Sequence, residues 1–117
     1  MSGAHQDVGT GNFHEGTARL YTDLSLLTCN SNITNEVQKV FAFFKDNYKR
    51  STYRSLFVSP INTRRNFLKL IDVEIKNAKA GKQAFIIIKL NNLVDEEMIE
   101  KLYDASRAGV DIKLIVY

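Results

Sequence analysis

The 117-residue sequence has few of the residues on which disulfide, zinc or membrane architectures depend. It contains one cysteine, Cys29, so an internal disulfide is excluded, and with only two histidines a structural zinc site is disfavoured. No run of about 18 apolar residues is present, so no membrane-spanning helix is predicted. A secretory signal is also not expected, because the first residues lack a basic and an apolar region. We therefore expect a cytoplasmic protein.

Positive charge is concentrated in the middle of the chain. Residues 36–89 contain 12 Lys and Arg against four Asp and Glu, whereas residues 1–35 and 90–117 are both net negative. A basic centre between acidic ends suggests an anionic partner. Basic residues that only keep the surface solvated would give the same count, and charge alone favours that second interpretation. With 44% apolar and 25% charged residues, the composition indicates a folded domain.

The first half of the chain has weak periodicity. Residues 1–16 are rich in Gly, Thr, Asn and Asp and are predicted to form a loop, and residues 19–28 an extended segment. A helix is predicted to follow and to end near Asn47, with its cap at one of Ser31, Asn32 and Thr34. The apolar face of that helix would combine Val37, Val40, Phe41 and Phe44.

The second half begins with a short apolar strand predicted at residues 56–58. Ser59 and Pro60 follow as the expected cap and first residue of a long helix, which Gly81 ends. The apolar stripe of this helix consists of Ile61, Leu68, Ile71, Ile75 and Ala78.

Two further strands flank a second helix. Residues 84–90, AFIIIKL, form an almost continuous apolar run, typical of a strand buried on both faces. Residues 93–108 predict a helix closed by Gly109, and residues 112–117 a last strand. The order β-α-β-α-β predicts an α/β fold with parallel strands and right-handed crossovers. Since ligands bind at the carboxyl ends of such strands, a chain that stops there is interpreted as a fragment.

The short motifs in the sequence do not by themselves identify a catalytic or binding site. Gly9 and Gly11 resemble the start of a dinucleotide-binding loop, but the third glycine would fall at His14, so that class is disfavoured. His5 and His14 are interpreted as surface histidines and Cys29 as a small packing residue.

Two adjacent arginines, Arg64 and Arg65, are predicted near the start of the long helix, where positive charge opposes the helix dipole. This pattern fits a tolerated surface conflict and an anion site equally well.

Four long segments resemble polyphosphate kinase, namely GTGNFHEGTARLYTDLSLLT, ITNEVQKVFAFF, LFVSPINTRRNFLKLIDVEI and IKLNNLVDEEMIEKLYDASRAGVDIKLIV. The resemblance is to the long, histidine-phosphorylating class, which has two phospholipase D-like C-terminal domains, and it extends from Gly9 to Val116. It implies that residues 1–50 are the tail of the first such domain and residues 51–117 the first half of the second.

The resemblance implies reversible transfer of the ATP γ-phosphate to polyphosphate through a phosphohistidine, with Mg²⁺. It further implies a homo-oligomeric parent enzyme, cytoplasmic or membrane-associated in its complex. The family's nucleophilic histidine lies upstream in an H-x-K motif, and its second active-site histidine lies downstream. This chain has no H-x-K, since Gln6 and Asp7 follow His5. We therefore expect no catalytic residue here and an inactive isolated chain.

The resemblance implies three nucleotide-site residues, of which one matches a ligand-contacting residue of the family. Tyr21, in ARLYTD, matches its ATP-contacting tyrosine, Asp23 beside it would help to position the nucleotide, and Asn12 would face the phosphate. Two positions depart from the family. His14 replaces a frequent asparagine, and Tyr117 stands where the family has a phosphate-binding arginine, whose guanidinium fork a tyrosine cannot supply.

Polyphosphate is a dense linear anion, and binding it should release counterions as nucleic acid binding does. The basic residues predicted to contact it are Arg54, Arg64, Arg65, Lys69 and Lys89. The residues leave two alternative functions open. One is a fragment of another phospholipase D-like phosphodiesterase, such as a nuclease, and the other is a non-catalytic domain that binds polyanions, with nucleic acid the less expected partner.

Overall fold

The computed structural model describes residues 6–9 (backbone only), 14–22, 24–47 and 51–116. The chain divides into two compact units, Met1–Phe57 and Val58–Tyr117. The first unit contains β1 (Gln6–Gly9), α1 (Glu15–Leu20), β2 (Ser25–Thr28) and α2 (Ser31–Lys45). The second unit contains α3 (Thr63–Lys79), β3 (Phe85–Leu90), α4 (Glu96–Arg107) and β4 (Asp111–Val116).

Strands β1 and β2 pair antiparallel in the first unit, from Gln6 opposite Thr28 to Gly9 opposite Ser25. The loop predicted for residues 1–16 is therefore wrong in part, because it contains β1 and the start of α1. The extended segment predicted for residues 19–28 is a strand only over its last four residues. Strands this short are formed by pairing with a distant partner, which a local pattern does not reveal.

Helix α2 confirms the predicted helix but begins one residue after a different cap. The cap is Asn30, whose side chain accepts a hydrogen bond from the backbone N–H of Asn32 at 3.0 Å. The predicted apolar face is not a buried face within this unit, since Phe41 and Phe44 are 64% and 72% exposed. The buried residues of α2 are instead Thr34 and Glu36.

The second unit contains a parallel two-stranded sheet. Its strands β3 and β4 pair from Phe85 opposite Asp111 to Leu90 opposite Val116. This confirms the predicted α/β architecture with parallel strands. The buried core contains residues from both helices and the residue just before each strand, namely Ile71, Ala84, Leu102, Ala105 and Val110.

Only one face of this sheet is covered by the described residues. Ile86 and Ile88 pack against the core, whereas Phe85 and Ile87 on the other face are 55% and 64% exposed. The prediction that residues 84–90 are buried on both faces is therefore wrong for this unit, because α3 and α4 pack on the same side.

The strand predicted at residues 56–58 is not formed. The backbone N–H of Leu56 donates to the carboxylate of Glu36 at 2.8 Å, so a donor that strand pairing would use is taken by a side chain.

Helix α3 also begins later than expected, with Asn62 rather than Ser59 as its cap. Val58 and Asn62 close a turn through two hydrogen bonds. The N–H of Asn62 donates to the carbonyl oxygen of Val58 at 2.9 Å, and the N–H of Val58 donates to Asn62 Oδ1 at 2.6 Å. The Ser59–Pro60 peptide bond inside this turn is cis.

The predicted helix ends are confirmed. Gly81 and Gly109 follow α3 and α4 with φ of 71° and 97°, a left-handed conformation that favours glycine. The N–H of Lys82 donates back to the carbonyl oxygen of Asn77 at 2.9 Å, which satisfies one carbonyl of the last turn of α3. None of the helices in the described ranges is long and apolar enough to cross a membrane.

Candidate functional site

An open depression of about 380 Å³ lies beside the first turns of α3. Its charged lining residues are Arg64, Arg65, Lys69, Asp72 and Glu97. Three of the five basic residues predicted to contact polyphosphate are thus brought to one place. Lys89 lies on β3 and is not among the lining residues, and Arg54 belongs to the other unit.

Arg64 is held by two carboxylates at the start of α4. Its Nε and Nη2 donate to the two carboxylate oxygens of Asp95 at 2.8 and 3.1 Å, and its Nη1 pairs with Glu97. Hydrogen bonds to Asp95 and Glu97 raise the pKa of Arg64 above its already high ordinary value. Its charge is thus compensated within the protein.

Asp95 serves α4 and Arg64 together. It is the N-cap of α4, and its Oδ1 accepts a hydrogen bond from the N–H of Met98 at 2.9 Å. The pKa of Asp95 is lowered, first by the hydrogen bond from Arg64 and then by that from Met98. The first turns of α3 and α4 are therefore joined through one carboxylate.

The remaining charges of the depression divide into a paired acid and two cations. Asp72 accepts from Lys101 Nζ at 2.6 Å, and this hydrogen bond raises the pKa of Lys101. Arg65 and Lys69 are exposed, and in the described part of the chain neither side chain forms a hydrogen bond or ion pair. They are four residues apart on α3, so they are neighbours on the helix surface.

Of the predicted nucleotide contacts, only Tyr21 lies among the described residues. It follows α1 directly, its N–H donates to the carbonyl oxygen of Thr17 at 3.1 Å, and the residue is 66% exposed. Its ring is therefore open to a planar ligand. Asn12 and Asp23 lie outside the described residues, as do His5 and Tyr117.

His14 has a structural role that its type does not suggest. It is the N-cap of α1, and its Nδ1 accepts from the N–H of Thr17 at 3.3 Å. An asparagine side chain can make the same bond, so either residue type can cap α1 at this position. Gly16 leaves room for the imidazole, because a Cβ there would lie 3.1 Å from His14 Cε1.

Glu36 is an important residue that sequence reasoning missed. Although it is only 6% exposed, its carboxylate accepts hydrogen bonds from three successive backbone N–H groups, those of Arg54 (2.7 Å), Ser55 (3.0 and 3.1 Å) and Leu56 (2.8 Å). Burial raises the pKa of Glu36, but these hydrogen bonds lower it more, so its pKa is below the ordinary value. It is the single acid of α2, and nothing local points to partners 18 to 20 residues away.

Metal-ligating residues are not clustered in the described ranges. No group of three or more His, Cys, Asp or Glu side chains suited to a metal ion occurs there. Cys29 is exposed, so its interpretation as a packing residue is wrong.

Two family profiles cover almost the whole chain. Residues 3–50 match the profile described as polyphosphate kinase C-terminal domain 1, and residues 56–117 match polyphosphate kinase C-terminal domain 2. The chain therefore belongs to the polyphosphate kinase family, as the sequence segments predicted.

Individual relatives agree with this assignment. Polyphosphate kinases of Vibrio parahaemolyticus, Yersinia pestis and Escherichia coli are 54%, 53% and 51% identical to it over 109 residues. These matches cover 93% of this chain and 16% of each relative. The crystal structure of the polyphosphate kinase from Porphyromonas gingivalis superposes with a TM-score of 0.85 at 39% identity, over 94% of this chain and 17% of that one. The chain thus spans about one sixth of its relatives' length.

Proposed function

We propose that this chain is the portion of an ATP:polyphosphate phosphotransferase that supplies part of its nucleotide and polyphosphate contacts. The observation that carries the proposal is that both C-terminal domain profiles match in order along one chain, at 51–54% identity to proteins named polyphosphate kinase. The enzyme would be a cytoplasmic homo-oligomer that uses ATP and Mg²⁺.

In this proposal the boundary between two phospholipase D-like domains falls within the chain. Residues 1–50 form the tail of the first domain, and residues 51–117 form the first half of the second. The profile matches over residues 3–50 and 56–117 support this division, and the compact units divide close by, after Phe57.

The reaction moves the γ-phosphoryl group from ATP to a histidine, with ADP leaving, and then to the terminal oxygen of polyphosphate. Neither His5 nor His14 is followed by the lysine of an H-x-K motif, so this chain does not supply the acceptor histidine. Its own residues bind: the ring of Tyr21 packs against the nucleotide, with Asp23 and Asn12 near the phosphates, and basic side chains hold the polyphosphate. Phosphoryl transfer depends chiefly on such positioning and electrostatic stabilisation. Mg²⁺ would neutralise phosphate charge.

The test is polyphosphate synthesis by a full-length protein that contains this sequence. Incubated with ATP labelled in the γ position and with Mg²⁺, it is expected to form labelled, acid-insoluble polyphosphate and ADP. The 117-residue chain, assayed in parallel, is expected to form none.

Two further measurements on the same full-length protein, phosphodiester hydrolysis and polyanion binding, distinguish the other two candidate functions. Hydrolysis of a phosphodiester substrate such as DNA, with no polyphosphate formed from ATP, would replace the kinase by a phosphodiesterase. Salt-dependent binding of polyanions without turnover of either substrate would identify a binding domain, which the two open cations Arg65 and Lys69 would then explain.

A further inference from the structure

Some of the charged side chains around the depression beside α3 form ion pairs within the protein, and others do not. Arg64 is paired with Asp95 and Glu97, and Asp72 is paired with Lys101. These acids therefore do not repel an incoming anion with their full charge, because each has a cation within 4 Å.

Two charges remain after these pairs are counted. Arg65 and Lys69 line the same depression, are exposed, and have no side-chain partner among the described residues. On an α-helix, side chains four residues apart project from successive turns with Cβ atoms about 5–6 Å apart. The depression therefore presents two adjacent cations to solvent.

We propose that Arg65 and Lys69 form a subsite for a linear polyphosphate chain and that Arg64 is a positioning residue of this subsite, not a phosphate ligand. The proposal rests on the function proposed above and narrows its five basic candidates to two. Arg65 supplies a planar fork that binds two phosphate oxygens, and Lys69 a point charge for a neighbouring phosphoryl group.

Arg64 is set apart by its geometry. Its Nε, Nη1 and Nη2 are directed at carboxylate oxygens of Asp95 and Glu97, so two acids already neutralise its charge and occupy three of its five N–H donors. By holding the first turn of α3 against the N-cap of α4, Arg64 fixes the wall of the depression from which Arg65 and Lys69 project.

A chain of phosphates fits these observations better than a single phosphate. The two cations are exposed to water, so each contact with one small anion is weak. A polyanion that engages both cations also releases condensed counterions, which gives the binding a strong dependence on salt. An open depression also lets a long chain enter from the side and slide through.

The test measures binding of fluorescently labelled linear polyphosphate to a full-length protein that contains this sequence. The variants are Arg65→Gln, Lys69→Gln and the double substitution, which keep the side-chain stems. The matched control is Lys76→Gln with Lys79→Gln, two exposed lysines in the last turn of the same helix.

The double variant is expected to bind polyphosphate about tenfold more weakly at moderate salt. The slope of log affinity against log salt concentration should fall by about 2, one for each lost phosphate contact. Affinity for ATP, polyphosphate binding by the control and the circular dichroism spectra should stay unchanged. Arg64→Gln should instead weaken binding with the salt slope retained, and Arg64→Lys should restore binding in part.

Two results would overturn the subsite. One is a double variant that binds polyphosphate with unchanged affinity and slope, and the other is an equal loss of duplex DNA binding, which would indicate a general polyanion surface. A full-length protein that makes no polyphosphate would remove the proposed function itself. Normal synthesis together with unchanged binding in the double variant would remove only the subsite.

Discussion

The guanidinium of Arg64 and the carboxylate of Asp95 form a two-pronged ion pair, with distances of 2.8 and 3.1 Å between Nε and Oδ2 and between Nη2 and Oδ1. Asp95 also caps α4 through Met98, so two residues 31 positions apart in sequence connect the beginnings of α3 and α4. Because Arg64 lines the depression, this ion pair fixes the position of one wall of the candidate site.

Substitutions at Asp95 should separate its two roles. Asp95→Asn keeps a side chain that can cap α4 but removes the charge facing Arg64, whereas Asp95→Ala removes both. We expect the thermal midpoint of the second unit to fall by a degree or two for Asn and by several degrees more for Ala, measured by circular dichroism. Equal midpoints for the two variants would contradict the capping role.

The contribution of Asp95 should disappear in acid. Because Arg64 lowers the pKa of Asp95, the pair stabilises the fold fully above the ordinary carboxyl pKa, about 4, and this stabilisation is lost as the pH falls through the lower folded value. Denaturant titrations at pH 7 and pH 3 should show that the difference between wild type and Asp95→Asn shrinks at pH 3. A difference independent of pH would exclude the charge as its cause.

Glu36→Gln should destabilise the first unit by about 1–3 kcal/mol, because a buried acceptor of three backbone N–H groups loses its charge. The pKa of Glu36 is lowered, so this difference too should be present at neutral pH and diminish below about pH 4. Urea denaturation followed by circular dichroism measures it. Glu100→Gln, an exposed position on α4, is the control and should change stability little.

The ring of Tyr21 is expected to pack against the bound ATP. In a full-length protein that contains this sequence, Tyr21→Ala should raise the KM for ATP about tenfold with the fold intact, and Tyr21→Phe should have a smaller effect. Tyr103→Ala removes a similarly exposed tyrosine from α4 and should leave ATP kinetics unchanged. Unaltered ATP kinetics in Tyr21→Ala would remove this residue from the nucleotide site.

The 117-residue chain is expected to self-associate through the open face of its parallel sheet, where Phe85 and Ile87 are more than half exposed. Ile87→Lys should shift the species seen by analytical ultracentrifugation toward the monomer. Val94→Lys changes an even more exposed residue outside the sheet and should not. A folded wild-type chain that is monomeric at all concentrations would contradict this expectation.

Sequence patterns located the second unit well, because its helices carry strong local signals. Gly81 and Gly109 end helices through a backbone conformation that glycine favours, and the strands there have long apolar runs. The patterns failed where structure depends on distant partners. The carboxylate of Glu36 removes the backbone donor of Leu56 from strand pairing, and β1 is defined by its pairing with β2.

The candidate site was predictable as a set of charges but not as an arrangement. The adjacent Arg64 and Arg65 suggested an anion site, yet sequence treats them alike. Only the fold distinguishes them: both line the depression, but Arg64 is paired with Asp95 and Glu97, whereas the Arg65 side chain has no partner among the described residues. The family resemblance supplied Tyr21, whose exposed ring has no local sequence signal.

Phosphoenzyme labelling tests the central claim most directly. A full-length protein that contains this sequence and the 117-residue chain alone are each incubated with γ-labelled ATP and analysed for acid-labile, alkali-stable phosphate on the polypeptide. We predict label on the full-length protein and none on the isolated chain. Label on the isolated chain, or its absence from an active full-length protein, would contradict the account.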